Sequence, residues 1–105
     1  MNTTSDYPVK ERVLNFSQCK YLSEVHRMIQ QELELPEWYG RNLDALWDRL
    51  STDVPRPVHL TWAAAQVSRG AMGATAFDRI ERILRAAADQ DAAWGWTDRF
   101  TYELS

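Results

Sequence analysis

Two aspartates four residues apart, Asp44 and Asp48, are the most chemically suggestive pair in the chain. On a helix, one turn brings both carboxylates to the same face. Such a pair can share acid–base work, form half of a metal site, or present negative charge to a basic partner. Acid–base work also needs a cleft that raises one pKa and a second group on another element, and the sequence marks neither. His26 falls in a helical pattern and His59 in a strand pattern, and each reads as structural rather than as a general base. Cys19 is the single cysteine, which excludes an internal disulfide and a metal centre built from several thiolates. It has no neighbouring histidine to activate it. The stretch Gly70-Ala71-Met72-Gly73-Ala74-Thr75 lacks the Lys-Ser/Thr ending of a phosphate loop and reads as a turn followed by a helix cap. There is no His-Glu-x-x-His, no paired-cysteine motif and no calcium-loop pattern. The expectation is a protein without catalytic residues, metal or cofactor.

Charge gives a more positive indication. The 15 acidic and 12 basic residues leave a net charge of −3. Residues 31–54 hold six acids (Glu32, Glu34, Glu37, Asp44, Asp48, Asp53) and two bases (Arg41, Arg49), a net −4, so the rest of the chain is about +1. That concentration argues against contact with a phosphate backbone and for a basic protein partner. A merely solvated acidic face is the plainer alternative. Trp38, Tyr39 and Trp47 lie inside the same segment. Aromatic rings exclude water while charge orients a partner, although rings here could also just cover the edge of the core. Trp62 reads as core. Trp94 and Trp96 lie in a predicted loop and fit either role.

The elements that must position these residues follow from periodicity and caps. A chain of 105 residues, 45% hydrophobic and 26% charged, is the size and composition of one globular domain. It has no apolar run long enough to span a membrane. Its first ten residues are polar and lack a signal-like apolar region, so they read as a leader (1–10) before a domain (11–105) in a cytoplasmic protein. Residues 12–16 read as a strand. Ser23 can cap a helix bearing Leu22, Val25, Ile29 and Leu33, ended by Pro36. After a loop over 36–40, Asn42 can cap a second helix over 42–52. Leu43, Leu46 and Leu50 point inward there, Asp44, Asp48 and Ser51 share another face, and Trp47 stands at the border. Residues 58–62 form a strand pattern, 63–68 a short helix and 70–73 a turn. Thr75 can cap a further helix bearing Phe77, Ile80, Leu84 and Ala87. Residues 89–97 read as a loop and 99–104 as a last strand. Strands separated by helices predict an α/β fold, a small three-stranded parallel sheet packed with helices.

The stretch Glu32-Leu33-Glu34-Leu35-Pro36-Glu37-Trp38-Tyr39-Gly40-Arg41-Asn42-Leu43-Asp44-Ala45-Leu46-Trp47-Asp48 closely resembles the barstar family of intracellular ribonuclease inhibitors. The likeness runs more weakly over residues 11–105, including 23–33, the strand over 58–62 and the terminal Glu103-Leu104-Ser105. It implies a barstar-like three-stranded parallel sheet and an immunity- or antitoxin-type function. The second helix and its preceding loop would enter the active site of a basic ribonuclease of the barnase type, or of a related toxin nuclease. By the resemblance, Asp48 takes the position of a substrate phosphate and Asp44 is a second interface aspartate. Trp38 falls on an interface tyrosine, Tyr39, Asn42, Leu43, Ala45 and Trp47 on other interface positions, and Ser51 on a threonine. Thr52 and Asp53 occupy the next interface positions, where the best-known member has glycine and tryptophan. That member has an acid where this chain has Ala86, and a thiol where it has Arg49. The loop over 91–97 is longer here. These departures bear on which nuclease is the target. They also motivate the alternative, a barstar-fold interaction or regulatory module with a non-nuclease partner. The resemblance further implies no direct nucleic-acid or membrane binding, and a monomer when free.

Overall fold

In the computed structural model, residues 8–19 and 21–105 are described. Most of the expected leader therefore lies outside the described residues. The elements run β1 (Lys10–Asn15), α1 (Leu22–Glu32), α2 (Leu43–Thr52), β2 (Val58–Ala63), α3 (Ala65–Met72), α4 (Ala74–Ala93) and β3 (Phe100–Leu104). The three strands form a parallel sheet in the order β1-β2-β3, with Lys10 opposite Val58 and Val58 opposite Phe100. The expected α/β architecture is present.

Alternation along β2 shows how the sheet is used. Val58, Leu60 and Trp62 are buried, while His59, Thr61 and Ala63 between them are half-buried. The buried face packs against the helices through Val25 and Ile29 of α1, Leu46 and Leu50 of α2, and Phe77, Ile80, Leu84 and Ala87 of α4. Trp62 is the centre, with Phe16 edge-on at 5.2 Å and Phe77 at 4.6 Å between ring centroids. Burying one large side chain of this kind contributes about 1.5–3 kcal/mol. The other face is polar: His59 bonds Thr101 Oγ1 at 2.7 Å and Glu103 Oε1 at 2.8 Å. At the β1 edge, Glu32 accepts from the Val13 N–H (3.3 Å) and Arg12 pairs with Glu34. The end of α1 thereby covers part of an otherwise open strand edge.

Local structure departs from the sequence expectations at several boundaries, among them the short helix expected over 63–68, which is α3 over Ala65–Met72 with Ala63 still in β2, and α1, which ends at Glu32 before Pro36. β1 begins at Lys10 rather than residue 12. α1 begins at Leu22 with Tyr21 as its cap residue, whose N–H is held by the Glu24 carboxylate at 3.0 Å, so Ser23 is already helical. Leu22 is exposed, outside the buried stripe of Val25, Ile29 and Leu33. The expected turn over 70–73 contracts to Gly73 alone. Its φ of +91° ends α3 and opens α4, a conformation natural only to glycine, and Thr75 is inside the helix. Finally, α4 runs on to Ala93, because residues 85–93 are rich in helix-forming alanine.

Candidate functional site

The acidic segment is built from its loop upward. The Pro36 carbonyl accepts from the Tyr39 N–H at 2.9 Å and from Gln30 Nε2 at 2.8 Å, tying the loop to α1. Gln30 Oε1 accepts from Arg41 Nε at 3.0 Å. Asn42 caps α2 as expected: its Oδ1 accepts from the Ala45 N–H at 2.8 Å, and its Nδ2 donates to the Gly40 carbonyl at 3.2 Å. A Cβ on Gly40 would come within 3.2 Å of both Ala45 Cβ and Asn42 Nδ2, so glycine lets the loop lie this close to the helix.

Tyr39 corrects the sequence reading. It was expected on the partner-facing surface, but only 4% of it is exposed. Its hydroxyl bonds Nδ1 of the buried His26 at 2.8 Å. Burial pushes the Tyr39 pKa up to about 12 and pushes His26 below its ordinary value. The phenol fills the space between loop and α1, so it supports the loop from beneath. Trp38, one residue earlier, points outward and is 69% exposed.

On α2, Leu46 and Leu50 are buried and Leu43 is half-buried against the core. Asp44, Asp48 and Thr52 are exposed, with Ala45, Trp47 and Ser51 half-buried along the flanks. The helix thus brings Asp44 and Asp48 to one outward stripe. Neither carboxylate has a hydrogen-bond or ion-pair partner among the described residues. Asp44 lies in the first turn, where the helix dipole favours negative charge. Ser51 Oγ donates to the Asp48 carbonyl at 3.3 Å, and Thr52 Oγ1 donates to the same oxygen. Asp53 is different: Arg49 pairs with its carboxylate. The same guanidinium lies 4.7 Å from the Trp38 ring centroid.

The C-terminal end of α2 is fixed by a residue pair that sequence reasoning missed. Arg56 donates to the carbonyls of Leu50 and Val54, each at 2.6 Å. It also pairs with Asp91 through Nε at 2.8 Å and a second nitrogen at 3.2 Å. Asp91, expected in a loop, is on α4 with no exposed surface, and it accepts from the Phe100 N–H at 2.7 Å. One buried carboxylate therefore links α2, α4 and β3. The two groups are 35 residues apart, and no local signal pairs them. Beyond them Trp94 and Trp96 meet edge-on at 5.1 Å in a mostly exposed loop, and Ala86 stands exposed on α4.

No cluster able to hold a metal is found among the described residues, and no described helix is long and apolar enough to cross a membrane. Cys19 is buried, with its pKa raised by burial and by Glu24, the reverse of an activated thiol. A shallow depression of about 680 Å³, lined by His26, Arg41, Asn42, Leu43 and Asp44, opens at the start of α2. Its histidine is already bonded to Tyr39. What this face offers is shape, aromatic surface and unpaired negative charge.

The likeness to known proteins agrees with that description. The family model described as "Barstar (barnase inhibitor)" matches residues 9–103. A Bacillus subtilis (strain 168) protein named "Putative ribonuclease inhibitor YrdF" is 39% identical over 62 residues, covering 59% of this chain and 68% of that protein.

Proposed function

The chain belongs to the barstar family, and from that membership we propose that it inhibits a basic ribonuclease of the barnase type, or a related toxin nuclease, by stoichiometric, non-covalent occlusion. α2 and the loop before it enter the nuclease active site. The observation that carries this reading is the pair of unpartnered carboxylates, Asp44 and Asp48, on the outward stripe of a helix anchored from within by Leu46 and Leu50.

A ribonuclease must hold a polyanion, so its active site is lined with cations. Asp48 satisfies those cations as a phosphate would, without offering a bond to cleave. Asp44, one turn earlier, widens the negative surface. Trp38 and the flank of Trp47 exclude water around the charges, and Asn42, Leu43, Ala45, Ser51 and Thr52 complete the contact. Opposite charge speeds encounter, and that effect weakens with salt. The helix is held by its caps and core contacts before it meets a partner, so little ordering entropy opposes association. In this reading the protein acts inside the cell as an immunity or antitoxin protein. It is a monomer when free, with no enzymatic activity and no direct affinity for nucleic acid.

The test is a titration of a barnase-type ribonuclease while RNA cleavage is followed. The expected result is an end point at one inhibitor per enzyme. Asp48→Ala should weaken inhibition by about 3–5 kcal/mol, because cations buried by the complex are left without a counter-charge. Its circular dichroism and urea midpoint should stay those of the parent. An Asp48→Ala protein that inhibits as well as the parent would remove Asp48 from the mechanism.

A further inference from the structure

A cation is out of place on a face meant for a basic partner, yet α2 carries Arg49 next to Asp48. Its surroundings give it a use. The guanidinium pairs with Asp53 and lies 4.7 Å from the Trp38 ring centroid. The Arg49 side chain is only 18% exposed, against 47% for that of Asp53, so the charge is covered by the indole and the carboxylate. Trp38 itself is 69% exposed and is not among the residues packed on the core, and Arg49 stacks against its ring from α2.

We infer that Arg49 is a positioning and selectivity residue of this face. It fixes Trp38 in an exposed setting ready for a ribonuclease, and it cancels Asp53 so that Asp44 and Asp48 remain the free acids of residues 43–53. The inference rests on the inhibitor reading above. An indole already held against a guanidinium joins an interface without first losing rotamer freedom. The same pair disfavours a nuclease that presents a lysine or arginine opposite it, because Arg49 would repel that cation and Asp53 is already engaged. Arg49 thus acts through Trp38 and Asp53.

The experiment measures association and dissociation of a barnase-type ribonuclease at two salt concentrations, for the parent, Arg49→Met, Trp38→Ala and the double variant. Arg49→Met frees Asp53, so association at low salt should quicken roughly twofold. It also frees Trp38, so dissociation should quicken about three- to fivefold. In the Trp38→Ala background, the dissociation change should vanish while the association change persists. A purely structural role would not split the two rates in this way. Equal dissociation changes in both backgrounds, or none in either, would overturn the inference. A second measurement needs no partner. In the free protein the Trp38 ring current should shift the Arg49 side-chain protons upfield, and Trp38→Ala should abolish that shift. Absence of the shift overturns the positioning role whether or not the nuclease binds. A parent chain that leaves the nuclease fully active overturns the inhibitor reading, and the selectivity role with it.

Discussion

Asp48 and Asp91 are the same residue type put to opposite uses. Asp91 has no exposed surface, and its oxygens accept from Arg56 and from the Phe100 N–H. Asp48 stands in solvent on α2 with no side-chain partner among the described residues. The Arg56–Asp91 region satisfies its charge internally and so holds α2, α4 and β3 together. The acidic stripe leaves its charge unsatisfied and contributes little to the fold. Substitutions in the two regions should therefore fail different assays.

The largest effect belongs to the buried pair. Asp91→Ala strands the Arg56 guanidinium and the Phe100 N–H, and should destabilise the fold by about 3–5 kcal/mol in urea unfolding. Inhibition should fall only as far as unfolding accounts for. If Asp91→Ala unfolds like the parent, the contrast with Asp48 breaks.

The next effect lies beneath the acidic face, at Tyr39. Its pKa rises from 10.0 to about 12 through burial. Below pH 10 both the folded and unfolded phenols keep their protons, so the stability is fully present. As pH climbs from 10 towards about 12, the unfolded state ionises first and stability is lost. Tyr39→Phe should flatten much of that alkaline decline. Tyr102, whose pKa is also raised by burial first and by Glu81 second, and the Cys19 thiol, raised by burial first and by Glu24 second, should keep part of the slope.

The smallest effect sharpens the comparison from the other side. Asp44 is free for a partner but also sits in the first turn of α2. Asp44→Asn should lower stability by about 0.3–1 kcal/mol through the helix dipole. That loss should shrink at high salt in thermal unfolding, whereas Asp48→Ala should show no such loss.

The parts of this molecule governed by local rules were legible in the sequence. Asn42 announced the start of α2, the alternation of residues 58–62 announced β2, and the leucine spacing separated the inner from the outer side of α2. The length of α4 was misread because Trp94-Gly95-Trp96 punctuates the chain just beyond the true helix end. The residues alone left Tyr39 open between a partner-facing ring and one covering the edge of the core, and the resemblance placed it on the interface. Its burial depends on His26, which lies on a different element. The role of Asp91 was invisible for a similar reason, since its partner lies on the far side of β2 and α3. Contacts of that range are set by the fold as a whole.

The division of labour along α2 has an evolutionary consequence. Leu46 and Leu50 anchor the helix from one side, so substitutions at the outward positions leave the contacts that hold the helix in place. If the outward stripe recognises a nuclease as proposed, that recognition can be retuned one substitution at a time, each intermediate still folded. The scaffold would be inherited nearly intact while the outward stripe diverged.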